Sequence, residues 1–382
     1  MKAYCLNNIS PVALNGLKNN DVTVDDINQA DSILVRSAKM HDLDLPTNIL
    51  AVARAGAGVN NIPLDKYAEQ GIVVFNTPGA NANAVKELVL CGLFLSCRDI
   101  IGGLKYIEAN TDDTEIAQHA EKEKSKYAGI ELKGKTIAVV GLGVIGVMVA
   151  NACIALGMKV VGYDPYLSIQ NAFALDKEVK YLEKLEDVVK EADFVTIHVP
   201  LNASTKYMFN ETLFNNFKNN TILLNFSRDS IVNDNDLLKA INNNKVAKYV
   251  TDFANAEVVK LPNTICLPHL GASTAEAEDN CAIMAIEELK DYLENGNIKN
   301  SVNYPMCMAG AKTSPVRVCI NHKNIPGMIA KFSTVISEDG GNIITLVNKS
   351  KGDFAYSVID IDKAIPFDDI KAVDGVLRVR VI

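Results

Sequence analysis

The chain has 382 residues, which is more than one hydrophobic core usually serves and predicts two or three domains. Hydrophobic residues make up 48% and charged residues 22%, a balance typical of globular rather than disordered proteins. The net charge of −8 argues against nucleic acid or an anionic membrane as a partner. It leaves room for a local basic pocket that binds a small anionic substrate.

The eight cysteines form no C-x-x-C pair, and no Cys/His cluster has the spacing of a zinc site. We therefore expect free thiols, no bound metal and a reducing, cytoplasmic environment. No apolar stretch develops before Asn7 and Asn8, so a signal peptide is not expected. The longest apolar region, residues 137–150, contains three glycines and is too short to span a bilayer.

In chain order, the first third alternates short apolar runs with helical patterns. Residues 32–36, 51–54 and 71–75 are predicted strands, and this interleaving is typical of βαβ units with a parallel sheet. A helix is predicted over residues 85–110. The highly charged segment 111–126 is expected to be a surface helix or loop.

A second set of βαβ units begins at Lys135. Six predicted strands in one block favour a doubly wound sheet; they are 136–140, 159–163, 194–198, 221–225, 249–251 and 264–267. A helix follows over residues 275–293. Residues 303–315 contain two prolines and a glycine and are predicted to be a linker. The remaining segment has the order βαββαβ, which predicts a one-layer sheet with helices on one face.

The residues Gly141, Gly143 and Gly146 match the pattern G-x-G-x-x-G. The pattern alone is weak, but here it follows a predicted strand and opens an apolar helix. The first glycine permits a tight turn, the second allows close approach to a pyrophosphate, and the third lets helix and strand pack closely. The phosphates would lie at the helix N-terminus.

Asp164 follows the next strand at about the spacing expected for the acid that binds the adenosine ribose. A carboxylate there accepts ribose hydrogen bonds and repels a 2′-phosphate, and no arginine follows nearby. NAD is therefore the expected cofactor rather than NADP. The alternative is that Asp164 only caps a turn before Pro165.

Three side chains follow separate strands of the second block: Arg228, Glu257 and His269. The carboxyl ends of parallel strands are where open α/β sheets bind ligands. A histidine base, a carboxylate that orients it and a fixed cation are what hydride transfer from a 2-hydroxy acid requires. Taken singly, such a histidine is usually a turn residue and such an arginine is usually solvated; the coincidence of all three favours a catalytic site.

This order, with Pro268-His269-Leu-Gly-Ala-Ser-Thr274, resembles the D-isomer-specific 2-hydroxyacid dehydrogenase family over nearly the whole chain. The resemblance implies that Arg228 binds substrate and polarises its oxygen, that His269 is the acid/base, and that Glu257 pairs with it. Further cofactor contacts implied by it are Val144, Ile145, Val199, Phe226, Ser227, Asp252, Gly271 and Ala272.

The segment 54–61 resembles the family's substrate loop, in which the backbone amides of Gly58 and Val59 would hold the substrate carboxylate. In the family's phosphoglycerate dehydrogenases, the matching positions Arg36, Ser37, Arg54 and Asn81 contact substrate. This implies oxidation of 3-phospho-D-glycerate to 3-phosphohydroxypyruvate, the first step of serine biosynthesis. The alternatives are another acid, such as glycerate, hydroxypyruvate or lactate, or a non-catalytic NAD-sensing protein.

The final segment resembles the ACT domain of serine-regulated members. That resemblance implies an L-serine site formed by His322, Asn324 and Asn342 at a domain interface, and a homodimer or homotetramer. The alternative is that the two asparagines only serve turns.

The expected fold has two Rossmann-like doubly wound domains with a cleft between them, plus a ferredoxin-like βαββαβ ACT domain. We assign residues 1–80 and 272–313 to substrate binding, 81–271 to NAD binding and 314–382 to regulation. The chain departs from the family pattern at two places: Phe253-Ala254 replaces Val-Phe in a shortened loop, and Asp229-Ser230 replaces two glycines.

Overall fold

The computed structural model describes residues 1–15 and 21–382. Contacts among these residues divide the chain into two units. Unit 1 combines Met1–Asn81 with Ala275–Ile382, and unit 2 is Ala82–Thr274. None of the helices within these ranges is long and apolar enough to cross a bilayer.

The N-terminal segment of unit 1 forms a five-stranded sheet in the order β2-β1-β3-β4-β5, in which every neighbouring pair is parallel. Strand β3 is buried along its whole length, as its continuous apolar run predicts. The elements are β1 (Lys2–Cys5), α1 (Pro11–Asn15), β2 (Val22–Val24), β3 (Ser32–Val35), β4 (Ala51–Arg54), α2 (Leu64–Glu69) and β5 (Val73–Asn76).

Unit 2 contains a parallel sheet in the order β12-β11-β10-β9-β6-β7-β8. The strand order reverses between β6 and β9, which is the position where doubly wound sheets bind ligands. Its elements are α3 (Ala82–Cys97), α4 (Ile100–Ala109), α5 (Ile116–Glu123), β6 (Thr136–Val140), α6 (Val144–Ala155), β7 (Lys159–Tyr163), α7 (Ile169–Ala174), β8 (Lys180–Tyr181), α8 (Leu185–Glu191), β9 (Phe194–Ile197), α9 (Glu211–Phe214), β10 (Thr221–Asn225), α10 (Asp234–Asn242), β11 (Val246–Thr251) and β12 (Thr264–Cys266).

The chain then returns to unit 1. A four-stranded antiparallel sheet, here the C-terminal sheet, has the order β14-β15-β13-β16, with helices α12 and α13 on one face. Its βαββαβ order and the two parallel sheets confirm the predicted fold class. The elements are α11 (Ala275–Asn295), β13 (Val316–Lys323), α12 (Met328–Glu338), β14 (Ile343–Lys351), β15 (Phe354–Ile361), α13 (Asp368–Lys371) and β16 (Val376–Val381).

The second face of the C-terminal sheet shares a hydrophobic core with the N-terminal segment and α11. Cys319, Tyr356 and Val358 pack in one cluster with Ala285 and Leu289 of that helix. The C-terminal sheet is therefore built into unit 1 rather than attached to it by a free linker.

Helix α11 ends directly against the C-terminal sheet. Arg380 donates from Nη1 to the carbonyl oxygen of Leu293 at 2.8 Å, and Arg317 donates from Nη1 to that of Asn295 at 2.7 Å. The last carbonyl groups of a helix lack intrahelical partners and carry partial negative charge. Arginines from two strands of the C-terminal sheet thus complete the C-terminus of α11.

Three local predictions differ from the structure. The single helix predicted over 85–110 is two helices, because Asp99 accepts the backbone N–H of Gly102 at 2.9 Å and so caps a new helix. The segment predicted to be a linker is packed: Tyr304 is buried and donates to the carbonyl oxygen of Ala68 at 2.7 Å. Strands β1, β2 and β8 were not predicted; they are short and only β1 has a fully buried residue, Ala3.

Candidate active site

The glycine fingerprint occupies the turn between β6 and α6, at the point where the strand order reverses. Gly141 has φ +97°, and a Cβ there would lie 2.6 Å from the carbonyl oxygen of His198. A Cβ on Gly146 would collide with the carbonyl oxygen of Gly141. Apart from the two chain neighbours of Gly143, no described residue has an atom within 4 Å of a Cβ built there, so the backbone is open to a ligand. These are the three properties that the fingerprint requires.

The start of α6 carries Val144 and Ile145, two of the further cofactor contacts that the family resemblance implies. No side chain of the described residues caps this helix N-terminus. The first N–H groups of a helix lack intrahelical partners, and the helix dipole favours an anion there. The turn is therefore suited to a pyrophosphate.

Asp164 follows β7 and is tied to the fingerprint loop. Its Oδ2 accepts the backbone N–H of Leu142, and its Oδ1 accepts that of Tyr166, both at 2.8 Å. The carboxylate thus caps the turn that begins just before Pro165, as the alternative interpretation proposed. Each oxygen retains a second acceptor position, so ribose binding by Asp164 is compatible with that capping role.

Asp252 lies directly after β11 and is 1% exposed. Its Oδ2 accepts the backbone N–H of Gly271 at 2.9 Å, whereas its Oδ1 is buried without a partner among the described residues. Burial raises the pKa of Asp252. A buried unpaired acceptor is costly unless a ligand supplies a donor, and the amide group of nicotinamide is such a donor. This orphaned oxygen fits the NAD cofactor.

Arg228 and Ser227 follow β10. The guanidinium of Arg228 donates from Nη1 to the carbonyl oxygen of Ser227 at 2.6 Å, and Asn225 Nδ2 donates to the carbonyl oxygen of Arg228 at 2.9 Å. Ser227 Oγ donates to the carbonyl oxygen of Ile197 on the adjacent strand at 2.7 Å. These bonds fix the backbone from which Arg228 extends.

His269 follows β12, and its ring packs against Phe253 with 4.7 Å between ring centroids. Within residues 1–15 and 21–382, no side chain makes a hydrogen bond to the His269 ring. Glu257 is 69% exposed and its Oε1 pairs with Nζ of Lys260 at 3.2 Å. The structure therefore places Arg228, Glu257 and His269 after three adjacent strands, but the pairing of Glu257 with His269 stays a prediction.

The sequence does not predict a role for two residues at this edge of the sheet. It marks Phe253 only as a departure from the family pattern, and it gives no signal for Asn255. Both lie in the aperiodic loop between β11 and β12, where neither hydrophobic spacing nor a motif predicts contacts. The replacement of Val-Phe by Phe253-Ala254 was the one available signal.

Three predicted substrate residues of unit 1 lie at strand ends: Arg36 and Ser37 follow β3, and Arg54 is the last residue of β4. Arg54 Nε donates to the carbonyl oxygen of Arg36 at 3.0 Å, and Asn7 contacts both the backbone N–H of Arg36 and the hydroxyl of Ser37. Arg36 Nη1 also forms an ion pair with Oε1 of Glu278 at 2.7 Å. Arg36, Ser37 and Arg54 are thus brought together, with an acidic neighbour that the sequence did not predict.

The other predicted substrate positions are Gly58, Val59 and Asn81. Asn76 at the end of β5 donates from Nδ2 to the carbonyl oxygen of Ala57 at 2.6 Å, which anchors the loop that contains Gly58 and Val59. The Oδ1 of Asn81 is buried without a partner among the described residues. Within those residues, no group of three His, Cys, Asp or Glu side chains could hold a metal ion.

Comparison with known proteins adds to this geometry. The sequence model for the NAD-binding domain of D-isomer-specific 2-hydroxyacid dehydrogenases matches residues 101–271. A hydroxypyruvate reductase from Thermotoga maritima is 34% identical over 275 residues, covering 69% of this chain and 85% of its own length. The chain belongs to the D-isomer-specific 2-hydroxyacid dehydrogenase family.

Other members of the 2-hydroxyacid dehydrogenase family match over different lengths. A D-3-phosphoglycerate dehydrogenase from Methanocaldococcus jannaschii is 31% identical over 73% of this chain, but the match spans only 53% of that relative's length. The crystal structure of NAD⁺-bound 3-phosphoglycerate dehydrogenase from Entamoeba histolytica superposes with a TM-score of 0.61 at 24% identity, covering 79% of this chain and 98% of that one. The matched NAD-binding domain confirms NAD as the cofactor.

Beyond the dehydrogenase core, the three predicted effector residues lie apart within one chain. His322 is opposite Ala355 on β15, whereas Asn342 directly precedes Ile343, which is opposite Ile361. Along a strand that separation is about 20 Å. Asn324 donates to the carbonyl oxygen of Gly352 at 3.0 Å, close to the His322 end. A site that uses all three residues would need a second chain.

Proposed function

We propose that the chain catalyses the NAD-dependent oxidation of 3-phospho-D-glycerate to 3-phosphohydroxypyruvate, the first step of L-serine biosynthesis. The observation that carries the proposal is the adjacent pair Arg36 and Arg54, since arginines bind phosphate through paired donors. Several family members with this activity by name match the chain, among them one from Bacillus subtilis at 32% identity.

In the proposed reaction, His269 accepts the proton of the substrate's 2-hydroxyl group. Arg228 binds the carboxylate and polarises the oxygen, which stabilises the charge that develops there. The backbone amides of Gly58 and Val59 hold the carboxylate as well. The chemistry that NAD supplies is acceptance of the hydride. Asp252, Gly271 and the fingerprint turn hold the cofactor, with further contacts from Ile145, Val199, Phe226 and Ala272.

A second candidate is the same chemistry on an unphosphorylated acid such as glycerate or hydroxypyruvate. It is favoured by the Arg36–Glu278 ion pair, because a carboxylate at 2.7 Å competes with a substrate phosphate for the same guanidinium. The hydroxypyruvate reductase relative from Thermotoga maritima fits this candidate.

Initial rates of NADH formation across a panel of 2-hydroxy acids separate the candidates. We expect the highest kcat/KM with 3-phospho-D-glycerate, and Arg54→Ala should raise KM for that acid far more than for glycerate. An equal rise in KM for both acids would show that the arginines do not recognise the phosphate group. No turnover with any acid would favour a non-catalytic NAD-sensing protein.

The cofactor preference has its own test. Asp164→Ala removes the ribose hydrogen bonds and the repulsion of a 2′-phosphate, so it should narrow the difference in kcat/KM between NAD and NADP. Higher efficiency of the wild-type chain with NADP would contradict the assigned role of Asp164.

Regulation and assembly complete the proposal. The C-terminal sheet has the strand order of an ACT domain, and its edge strand β14 is paired on one side only, which suits edge-to-edge pairing of two chains. A homodimer or homotetramer would bring Asn342 of one chain towards His322 and Asn324 of another, and L-serine bound there would act as an allosteric inhibitor. All eight cysteines are free thiols, which fits a cytoplasmic enzyme.

Calorimetry with L-serine tests this part directly. We expect binding by the intact chain and its loss in Asn342→Ala. No heat at millimolar L-serine, together with unchanged turnover, would leave assembly as the only role of the C-terminal sheet.

A further inference from the structure

The side-chain amide of Asn255, in the loop between β11 and β12, makes four hydrogen bonds. Its Nδ2 donates to Oδ1 of Asp229 at 2.9 Å and to Oδ2 of Asp234 at 3.0 Å. Its Oδ1 accepts the backbone N–H of Glu257 at 2.9 Å and that of Val258 at 2.8 Å. An amide offers two N–H donors and two acceptor positions, so its bonding capacity is fully used.

The partners of Asn255 also fix which way the amide points. Carboxylates can only accept hydrogen bonds when ionised, and backbone N–H groups can only donate them. The nitrogen must therefore face the two aspartates and the oxygen must face the loop backbone. Aspartate at this position would lack the donors, and leucine would lack both kinds of group.

Asn255 connects segments that follow neighbouring strands of the sheet. Asp229 directly follows Arg228 and begins a short 3-10 turn after β10, and Asp234 is the first residue of α10. Glu257 lies in the loop after β11. One amide thus joins the side chain of the residue after the proposed substrate arginine to the backbone of the proposed partner of the catalytic histidine.

The hydrogen bonds of Asn255 bring the carboxylates of Asp229 and Asp234 together. Their mutual repulsion is unfavourable for a contact that serves structure alone. The pKa of Asp234 is raised by burial first and then by the charges of Asp229 and Glu257, while the bond from Asn255 lowers it. A hydrophobic contact would hold the loops without bringing like charges together. Unfavourable local choices of this kind are typical of functional sites.

The contacts leave the Glu257 carboxylate able to change partners. Its backbone N–H is held by Asn255, but its side chain is exposed and, within the described part of the chain, pairs only with Lys260. Ion pairs between exposed side chains contribute little to stability. The carboxylate can therefore leave Lys260 at small cost while the backbone from which it extends stays in place.

We propose that Asn255 is a positioning residue that holds the Arg228 and Glu257 segments at a fixed separation for hydride transfer. The proposal rests on the function proposed above for Arg228 and Glu257. It also explains why an aspartate follows Arg228 in this chain, because Asp229 supplies one of the four bonds.

Asn255→Ala is the direct test in the full-length chain. We expect kcat/KM to fall on the order of 10–100-fold, since misplacement of catalytic groups by about 1 Å can cost 10²-fold. Asn216→Ala is the matched control, because Asn216 is a partly exposed unit 2 asparagine whose side chain, among the described residues, bonds within its own turn to the carbonyl oxygen of Thr212. Asn255→Asp should lose as much as Asn255→Ala, although it keeps the size of the side chain.

A double-variant cycle tests whether Asn255 acts through Glu257. If it does, Asn255→Ala combined with Glu257→Gln should be little worse in kcat than Glu257→Gln alone. If the kcat loss of the double variant is instead the product of the two single-variant losses, Asn255 does not act through Glu257. Hydrogen exchange gives a readout independent of activity, because the amides of Glu257 and Val258 should exchange faster once their acceptor is removed.

The possible failures are distinguishable. No turnover by the wild-type chain overturns the proposed function and this proposal together. Normal wild-type turnover with unchanged kcat/KM in Asn255→Ala overturns the positioning role alone. If Asn255→Ala does not fold, Asp229→Ala removes one bond of the four, and an unchanged kcat/KM in that variant overturns the proposal as well.

Discussion

The loop after β12 and the middle of the C-terminal sheet each hold a histidine, and the two rings lie in opposite surroundings. His269 is exposed and its ring contacts Phe253. His322 is 2% exposed: its Nδ1 lies 2.8 Å from the carbonyl oxygen of Lys323, and its Nε2 lies 3.0 Å from the hydroxyl of Ser357. A carbonyl oxygen only accepts, so Nδ1 of His322 must carry the proton.

These different surroundings suit the two histidine side chains to different roles. A histidine with accessible nitrogens can exchange a proton with a substrate, whereas one whose nitrogens are both occupied acts first as part of the packing. His322 can bind an effector only by giving up a bond that it already makes. The four predictions below test this contrast, from the largest expected effect to the smallest.

Replacement of His269 should have the largest effect on the reaction. His269→Ala should lower kcat on the order of 10²–10⁴-fold, the usual contribution of a general acid/base, while NAD binding and the unfolding midpoint stay unchanged. His119→Ala is the control, because His119 is a partly exposed histidine of unit 2 that pairs with Asp113. Steady-state kinetics would contradict the role if both variants turned over alike.

Replacement of His322 should instead affect stability. His322→Leu leaves the hydroxyl of Ser357 and the amide of Asn348 with fewer partners in a buried environment. We expect a loss of about 1–3 kcal/mol in the free energy of unfolding, the cost of leaving such a group unsatisfied. Urea titration measures it, and Ser350→Ala on the exposed part of β14 should lose almost nothing. An equally stable His322→Leu would remove the structural half of the contrast.

Phe253 should matter for turnover because it is the described contact of the His269 ring. Phe253→Ala frees the ring to rotate, and we expect kcat to fall roughly 10-fold, the low end of what orientation contributes. Phe253→Leu should recover part of the loss by restoring bulk. Phe173→Ala, which removes an exposed ring elsewhere in unit 2, serves as the control. Identical kcat values for Phe253→Ala and the control would exclude a role in orienting His269.

The smallest effect concerns pH. Burial lowers the pKa of His322 from its ordinary value of 6.5, so the folded chain keeps the ring neutral while the unfolded chain protonates it. The unfolded state therefore binds more protons below pH 6.5, and stability falls as the pH falls through that value. His322→Gln cannot titrate, so its free energy of unfolding should vary less between pH 7.5 and pH 5.5. Parallel curves for the two proteins would contradict the assignment.

The site could be predicted where its geometry is set by neighbours in the chain. The fingerprint glycines are such a case: Gly141 needs its positive φ and Gly146 its missing Cβ because of the turn that they themselves form. The order of elements in the C-terminal sheet could be predicted for the same reason, since each strand and helix has its own apolar periodicity.

Contacts between distant segments were not predictable in this way. The Arg36–Glu278 pair joins residues far apart in sequence, and neither residue carries a motif that names the other. The prolines of 303–315 suggested a linker, but Tyr304 is buried because the N-terminal segment supplies the carbonyl oxygen of Ala68. Phe253 and Asn255 lie in a loop without periodicity, so only the folded chain shows what they contact.

The arginines that complete the C-terminus of α11 limit which segments of this chain can be exchanged during evolution. Arg317 and Arg380 belong to the C-terminal sheet, but the carbonyl groups that they bind belong to a helix that begins directly after the Ser273-Thr274 end of the His269 motif. A gene fusion or recombination that exchanged only residues after Pro315 would leave the last turn of α11 without its cations and open a shared core to water. The C-terminal sheet and the rest of unit 1 are therefore expected to change together in evolution, as one unit of selection rather than as interchangeable modules.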